Sequence, residues 1–200
     1  MTKILRNGVL FLSASLSTGL PAQVQKTAFT TRGADVDVAI TYVAERAKIA
    51  SVSCGCFWLQ GGGGDAAVTF AKGIGVAANL TGVQNNDVGT GVGLAKVLFA
   101  MGPRYTVTPK NRWPSIFGEA LFGGVHGFNS IFPSATGAKG AASSFAMMFG
   151  GGVDVQVAKH VRVRAVEADY VRTTLPNNAG NVQNDLRLAA GVSFHFSGVH

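Results

Sequence analysis

Charge is scarce in this sequence: Asp, Glu, Lys and Arg make up only 14% of the 200 residues, against about 25% in an ordinary soluble domain. The formal net charge is +7, but thinly scattered bases exclude a nucleic-acid binder, which concentrates Lys and Arg in one patch. Two cysteines are too few for a disulfide-dense scaffold. No apolar run reaches about 18 residues, so no helical membrane span is expected in the mature chain. Disorder is excluded as well, since hydrophobic residues make up 47% and mean hydropathy is +0.27. Glycine is plentiful, at 27 residues. These features together leave a β-protein with an apolar outside.

The first residues read as an address. Residues 1–22, MTKILRNGVLFLSASLSTGLPA, have a basic start in Lys3 and Arg6, an apolar stretch from Val9 to Leu16, and small or turn residues after it. That is the layout of a secretory signal. Cleavage after Ala22 leaves a formal charge of about +5. No cysteine stands at the cut, so a lipoprotein is not expected. Residues 23–35 form a periplasmic lead, residues 36–196 the fold itself, and residues 197–200 a C-terminal extension.

Period two runs through that fold. Val36, Val38, Ile40, Tyr42 and Ala44 alternate with Asp37, Ala39, Thr41, Val43 and Glu45. Leu186, Leu188, Ala190, Val192, Phe194 and Phe196 alternate with Asp185, Arg187, Ala189, Gly191, Ser193 and His195. The same reading predicts strands over 66–71, 74–83, 92–107, 113–126, 145–157 and 161–173. In the last of these, Arg162 and Arg164 have the opposite parity to Glu167 and Asp169, so a bulge between 164 and 167 is needed to turn all four one way. Glu119 is assigned to no face. Short links fall at 71–73, 108–112 and 158–160, and longer ones at 46–64, 84–91, 127–143 and 174–184. Eight strands with short turns at one end and long loops at the other predict an all-β, eight-stranded, antiparallel up-and-down transmembrane barrel, with both termini periplasmic.

Alternation does not say which face is inside. The apolar faces carry large side chains, while the others mix charge with Gly, Ala and Ser. Small residues suit the crowded bore of an eight-stranded barrel, so the apolar face is expected to meet lipid. A soluble lipocalin-like barrel is the reverse arrangement.

Residues 145–196 resemble the closing half of the OmpA-like eight-stranded outer-membrane barrel family, chiefly in GGGVDVQVAKHVRVR, EADYVRT and NDLRLAAGVSFHF. The pieces LFAMGPRYTV and FGEALFGGVH are similar to the family's central hairpin. The resemblance covers about residues 36–196 and implies an outer-membrane location. It also implies that the aromatic end of the last strand, Phe194 and Phe196, is read by the barrel-assembly machinery, here with Ser197 to His200 beyond it. No peptidoglycan-binding domain follows the barrel, so wall tethering is not implied.

The inner faces are expected to hold Asp37, Glu45, Lys96, Arg104, Asp154, Arg162, Arg164, Glu167, Asp169, Asp185, Arg187 and His195. Charges enclosed in a narrow barrel must pair or meet water, so these residues form a network that fills, plugs or gates the bore. Cys54 and Cys56 lie in the first long loop. A disulfide, free thiols and a metal or redox site are the alternatives, and a lone pair with no His nearby is too few ligands for a metal. His126, with Ser130 nearby, raises a lipid-modifying enzyme, but a nucleophile needs a base and an orienting group in reach. Gly61 to Gly64 are no phosphate loop, since the Gly-Lys-Ser/Thr ending is missing. Trp58, Trp113, Tyr42, Tyr105 and Tyr170 fall near strand ends, where interface girdles place amphipathic rings.

The expectation is therefore a non-enzymatic outer-membrane barrel with no cofactor and no metal. Its role is structural anchoring or binding through the loops at 46–64 and 127–143. Its partners are outer-membrane lipid, the assembly machinery and an external partner of unknown identity. A small-solute or ion pore and a membrane-embedded lipid-modifying enzyme are the rivals.

Overall fold

Strands whose two faces must meet different surroundings separate inside from outside by closing on themselves, and this chain does so. A computed structural model describes residues 34–48, 55–88, 92–109, 114–178 and 180–198. The strands are β1 (Asp35–Lys48), β2 (Cys56–Thr69), β3 (Ile74–Asn85), β4 (Leu94–Val107), β5 (Ser115–Ser134), β6 (Gly137–Ala158), β7 (Val161–Thr173) and β8 (Gln183–Phe196). Each pairs antiparallel with the next, and β8 returns to β1 to close the barrel. Residues 1–33, with the signal and most of the lead, lie outside the described residues.

The orientation of the faces settles the kind of barrel. Ile40 is 67% exposed, and Leu80, Phe122, Phe149 and Phe194 also stand on the outside. Arg164 and Glu167 are 0% exposed, inside. A soluble barrel turns its oily residues inward. This one has a belt of them around its exterior, the arrangement a bilayer demands, and closure leaves no strand edge unpaired within the belt. The bulge in β7 is present: its register with β8 shifts between Arg164 and Glu167, and Arg162, Arg164, Glu167 and Asp169 are all buried.

Two long loops of the sequence reading are corrected. The stretch 46–64 is mostly strand, because β1 runs on to Lys48 and β2 already begins at Cys56. The glycines at 61–64 hid this, having no hydropathy to alternate. Gly63 faces a tight interior, where an added Cβ would stand 2.9 Å from Thr81 Oγ1 and 3.3 Å from Val43 Cγ2. The stretch 127–143 is likewise a hairpin. β5 and β6 stay paired to Ser134 and Gly137 and turn through Ala135 and Thr136. Gly137 takes φ +111°, a region that favours glycine, and Ser134 Oγ donates to its carbonyl at 2.6 Å.

This hairpin outreaches its neighbours. β4 follows β5 only to the pair Ala95–Phe128, and β7 follows β6 only to Ala146–Thr173. Beyond these points β5 and β6 are paired only with each other. A register shift between Phe128 and Phe132, with Asn129 at φ +55°, marks the exit. The barrel thus has a terminal end, with Asp35, Phe196 and the short turns, and a hairpin end.

Among the amphipathic rings, Tyr105, Tyr170 and Trp58 are outward near strand ends. Tyr42 is outward but at mid-strand, and Trp113 lies outside the described residues.

Candidate functional site

The bore is the most chemically loaded part of the molecule. Of the ten acidic residues, eight are buried in it: Asp37, Glu45, Asp65, Glu119, Asp154, Glu167, Asp169 and Asp185. Lys96, Arg104, Arg162, Arg164 and Arg187 are buried with them. Inward parity on successive strands brings them to a few levels.

At the terminal end, Arg162 donates to Asp37 at 3.0 Å, and His195 Nδ1 lies 2.8 Å from the same carboxylate. An open cavity of about 430 Å³ lies at this mouth, with Lys72, Tyr105 and Thr108 also in its wall.

In the middle, Arg164 grips Asp154 with two bonds of 2.9 and 3.3 Å, reaches Glu167 at 2.6 Å and also binds Asp65. Arg104 donates to Glu119 at 2.6 Å and to Asp65 at 3.3 Å. Arg187 joins Glu167 to Asp169, the latter at 2.5 Å. The Phe117 ring lies under both Arg104 and Arg164, at 4.3 and 4.6 Å from their guanidinium carbons, a cation–π contact strengthened by burial.

Toward the hairpin end, Lys96 bridges Glu45 and Asp185, the latter at 2.8 Å. Apolar side chains close the rest of this half, among them Leu98, Leu121, Val125, Met148 and Val171, with Phe132 from the hairpin and Leu175 from the β7–β8 loop. Charges and this apolar layer together pack the bore.

All twelve inner-face residues of the sequence reading lie in this network. Two of its members were missed, Asp65 and Glu119. Asp65 shares the parity of Ala67 and Thr69, so extending that strand by one residue would have found it. Glu119 sits where glycines and aromatics blur the alternation.

The central carboxylates outnumber the central guanidiniums. Glu119, Glu167 and Asp169 each offer an oxygen within 4.8 Å of the others. Each, however, already spends an oxygen on an arginine, which marks an ion-pair core rather than a metal cage. Glu119 Oε1, Asp169 Oδ1 and Arg187 Nε and Nη2 are buried without a partner. Acceptors and donors orphaned together are the pattern that internal water satisfies.

The other candidates do not join the network. His126 is on the outer face near the hairpin end, with Nδ1 2.7 Å from Ser143 Oγ and its ring stacked on Phe128. Its partner is thus Ser143 across the β5–β6 ladder, not Ser130. Among the described residues no carboxylate orients the other ring nitrogen, and the neighbouring backbone amides belong to the sheet, so nothing stands ready for an oxyanion. Cys56 is an exposed free thiol at the start of β2, while Cys54 lies outside the described residues. Phe194 and Phe196 face outward at the terminal end.

A scan of protein families finds no match to this chain, and a search of curated protein sequences finds none either. Solved structures do share the fold. Ail, the attachment invasion locus protein of Yersinia pestis, is 16% identical with a TM-score of 0.54, covering 81% of this chain and 98% of that one. Its structure in complex with the heparin analogue sucrose octasulfate gives the same TM-score and identity over 82% and 99%. Neisserial surface protein A is 16% identical with a TM-score of 0.57, covering 80% and 97%. At such identities the likeness concerns fold alone. The closed eight-strand order, the apolar exterior and these likenesses agree: this chain is a transmembrane β-barrel with the fold of the OmpA-like eight-stranded outer-membrane barrels.

Proposed function

We propose that the protein is a non-conducting, non-enzymatic outer-membrane barrel that displays its β5–β6 hairpin outside the cell, with both termini in the periplasm. One observation carries the reading: the bore is packed by ion pairs and apolar side chains, while the hairpin is built as ordered strand well past the rest of the sheet. A solute path would need the opposite investment, an open bore and a low rim. Neighbours of this fold include a protein named for attachment, and one structure of it holds a sulfated heparin analogue. Together with the exposed Lys139 on the hairpin, this favours an anionic glycan as the external contact. The aromatic end of β8 is the expected signal to the assembly machinery.

The test has two arms. In planar bilayers the purified protein is expected to give no channel events, and regular unitary steps would overturn the sealed bore. Replacing residues 129–142 by a two-residue turn is expected to abolish heparin binding to intact cells and keep heat-modifiable gel migration. Undiminished binding would remove the hairpin from the reading.

Orientation has its own test. In a Cys54→Ser background, Cys56 at the hairpin end is expected to react with a membrane-impermeant maleimide on intact cells. A cysteine placed by Lys159→Cys in the β6–β7 turn should react only after permeabilisation. Reversal of the two would invert the barrel.

A further inference from the structure

With eight of its ten acids inside the bore, the barrel's exterior is almost stripped of negative charge. The two others are Asp35, at the terminal mouth, and Asp87, in the β3–β4 loop. Bases were not withdrawn in the same way. Arg46 and Lys48 on β1 and Arg172 on β7 are exposed at the hairpin end, with outward parity. They flank β8 from its two sides. Arg172 is paired with Asn184 and Arg46 with Leu186, and Lys48 and Asn184 stand two residues further along their strands in the same direction.

We infer that this row is a binding site for the phosphate of a membrane lipid in the leaflet at the hairpin end. The inference rests on the proposed orientation and adds a ligand to it.

Height is the first argument. On β1 the belt begins at Val36, opposite Phe196, and runs through Val38, Ile40 and Tyr42 to Ala44. The ten steps from Val36 to Arg46 rise about 25 Å along a strand tilted by roughly 40°. That is the height of the apolar band of such barrels, so Arg46 stands where acyl chains end and headgroups begin. On β8 the belt stops at Leu186 and gives way to Asn184. On β7 it stops at Tyr170 and gives way to Arg172. By register the change comes at Arg46 on β1 and one outward position further along on β8 and β7, at Asn184 and Arg172, and two of the three strands make it with bases.

Chemistry is the second. None of the three bases has an ion-pair partner among the described residues, and no acid faces outward on β7, β8 or β1. Tyr170 donates its hydroxyl to Asn184 Oδ1 at 2.5 Å, which turns the amide so that its nitrogen remains free to donate. Bases on strands either side of β8 stand about 10 Å apart at the backbone, and their long side chains can converge on one tetrahedral anion. Trp58, paired with Arg46 on β2, supplies an amphipathic ring at the same level. A phosphate with acyl chains beneath it meets the bases and the adjoining belt with one molecule, whereas free phosphate would engage the bases alone.

The experiment uses the full mature chain in nanodiscs. Spin-labelled phosphatidylglycerol and phosphatidylcholine report the relative association of an anionic and a zwitterionic headgroup, and a phosphorylated glycolipid serves as competitor. The wild type is expected to prefer the anionic lipid. The variant with Arg46→Gln, Lys48→Gln and Arg172→Gln is expected to lose that preference by about fivefold or more, while Arg46→Lys with Arg172→Lys keeps most of it. Lys72→Gln with Lys159→Gln, at the opposite end, should leave it unchanged. Equal selectivity in the triple variant and the wild type, or no selectivity in the wild type, overturns the site. Competition by inorganic phosphate as strong as by glycolipid would overturn the lipid as its occupant. Heat-modifiable migration is recorded for every variant, so failure of the barrel itself is seen separately.

Discussion

Replacing Arg164 by Met is expected to destabilise the barrel by about 3–5 kcal/mol, the largest loss from any single lumen substitution. Arg164 is fully enclosed and serves Asp154, Asp65 and Glu167 at once. Met fills much of the same volume and removes the charge, so what remains is three buried carboxylates that have lost their shared cation. The penalty belongs to the abandoned partners more than to the lost bonds. Asp154→Asn in the same chain should therefore recover part of the loss, since it relieves one uncompensated charge. Glu119→Gln alone should cost far less than Arg164→Met, because carboxylates are in excess at the barrel centre. Unfolding by urea in detergent, followed by heat-modifiable migration, measures all three variants against the wild type. An Arg164→Met barrel within about 0.5 kcal/mol of wild type would mean that the network is solvated filler.

That network also shows how far the sequence could be read. Where polar and apolar side chains alternate strictly, as in β1 and β8, both the strand and its inner face follow from parity. Even the bulge before Glu167 is legible, because two arginines and two acids can share one surface only if a residue is inserted between them. Legibility fails where side chains say nothing. The glycines at 61–64 carry no hydropathy, so β2 appears to begin late and Asp65 falls outside it. The hairpin arm Gly137–Ser144 is small and polar on both faces, as expected of a strand that leaves the bilayer, and so it reads as a loop. The apolar closure by Phe132 and Leu175 depends on how the hairpin and the β7–β8 loop fold over the mouth, which periodicity along one strand cannot report. Pairing is hidden for a related reason. Arg162 meets Asp37 across 125 positions of sequence, and only closure of β8 on β1 brings them together.

The second large effect tests the exterior. Ile40 lies midway along the β1 belt, opposite Val192 on β8 and Gly64 on β2, with its side chain outward. Ile40→Arg is expected to destabilise the protein in a lipid bilayer by about 2–4 kcal/mol, because the guanidinium must sit at the depth where hydration is most expensive. Arginine at the headgroup row, introduced by Asn184→Arg, should cost no more than about 1 kcal/mol. The comparison is made by urea unfolding from vesicles, where the incoming side chain is the same and its depth differs. A barrel with its exterior in water would give the opposite order of expectation: trading an exposed isoleucine for arginine on a solvated sheet is near neutral, within about 0.5 kcal/mol, at either height. Equal and small costs at the two positions would therefore contradict the assignment of the apolar face to lipid, and the phosphate row with it, since that row takes its meaning from standing at the edge of the belt.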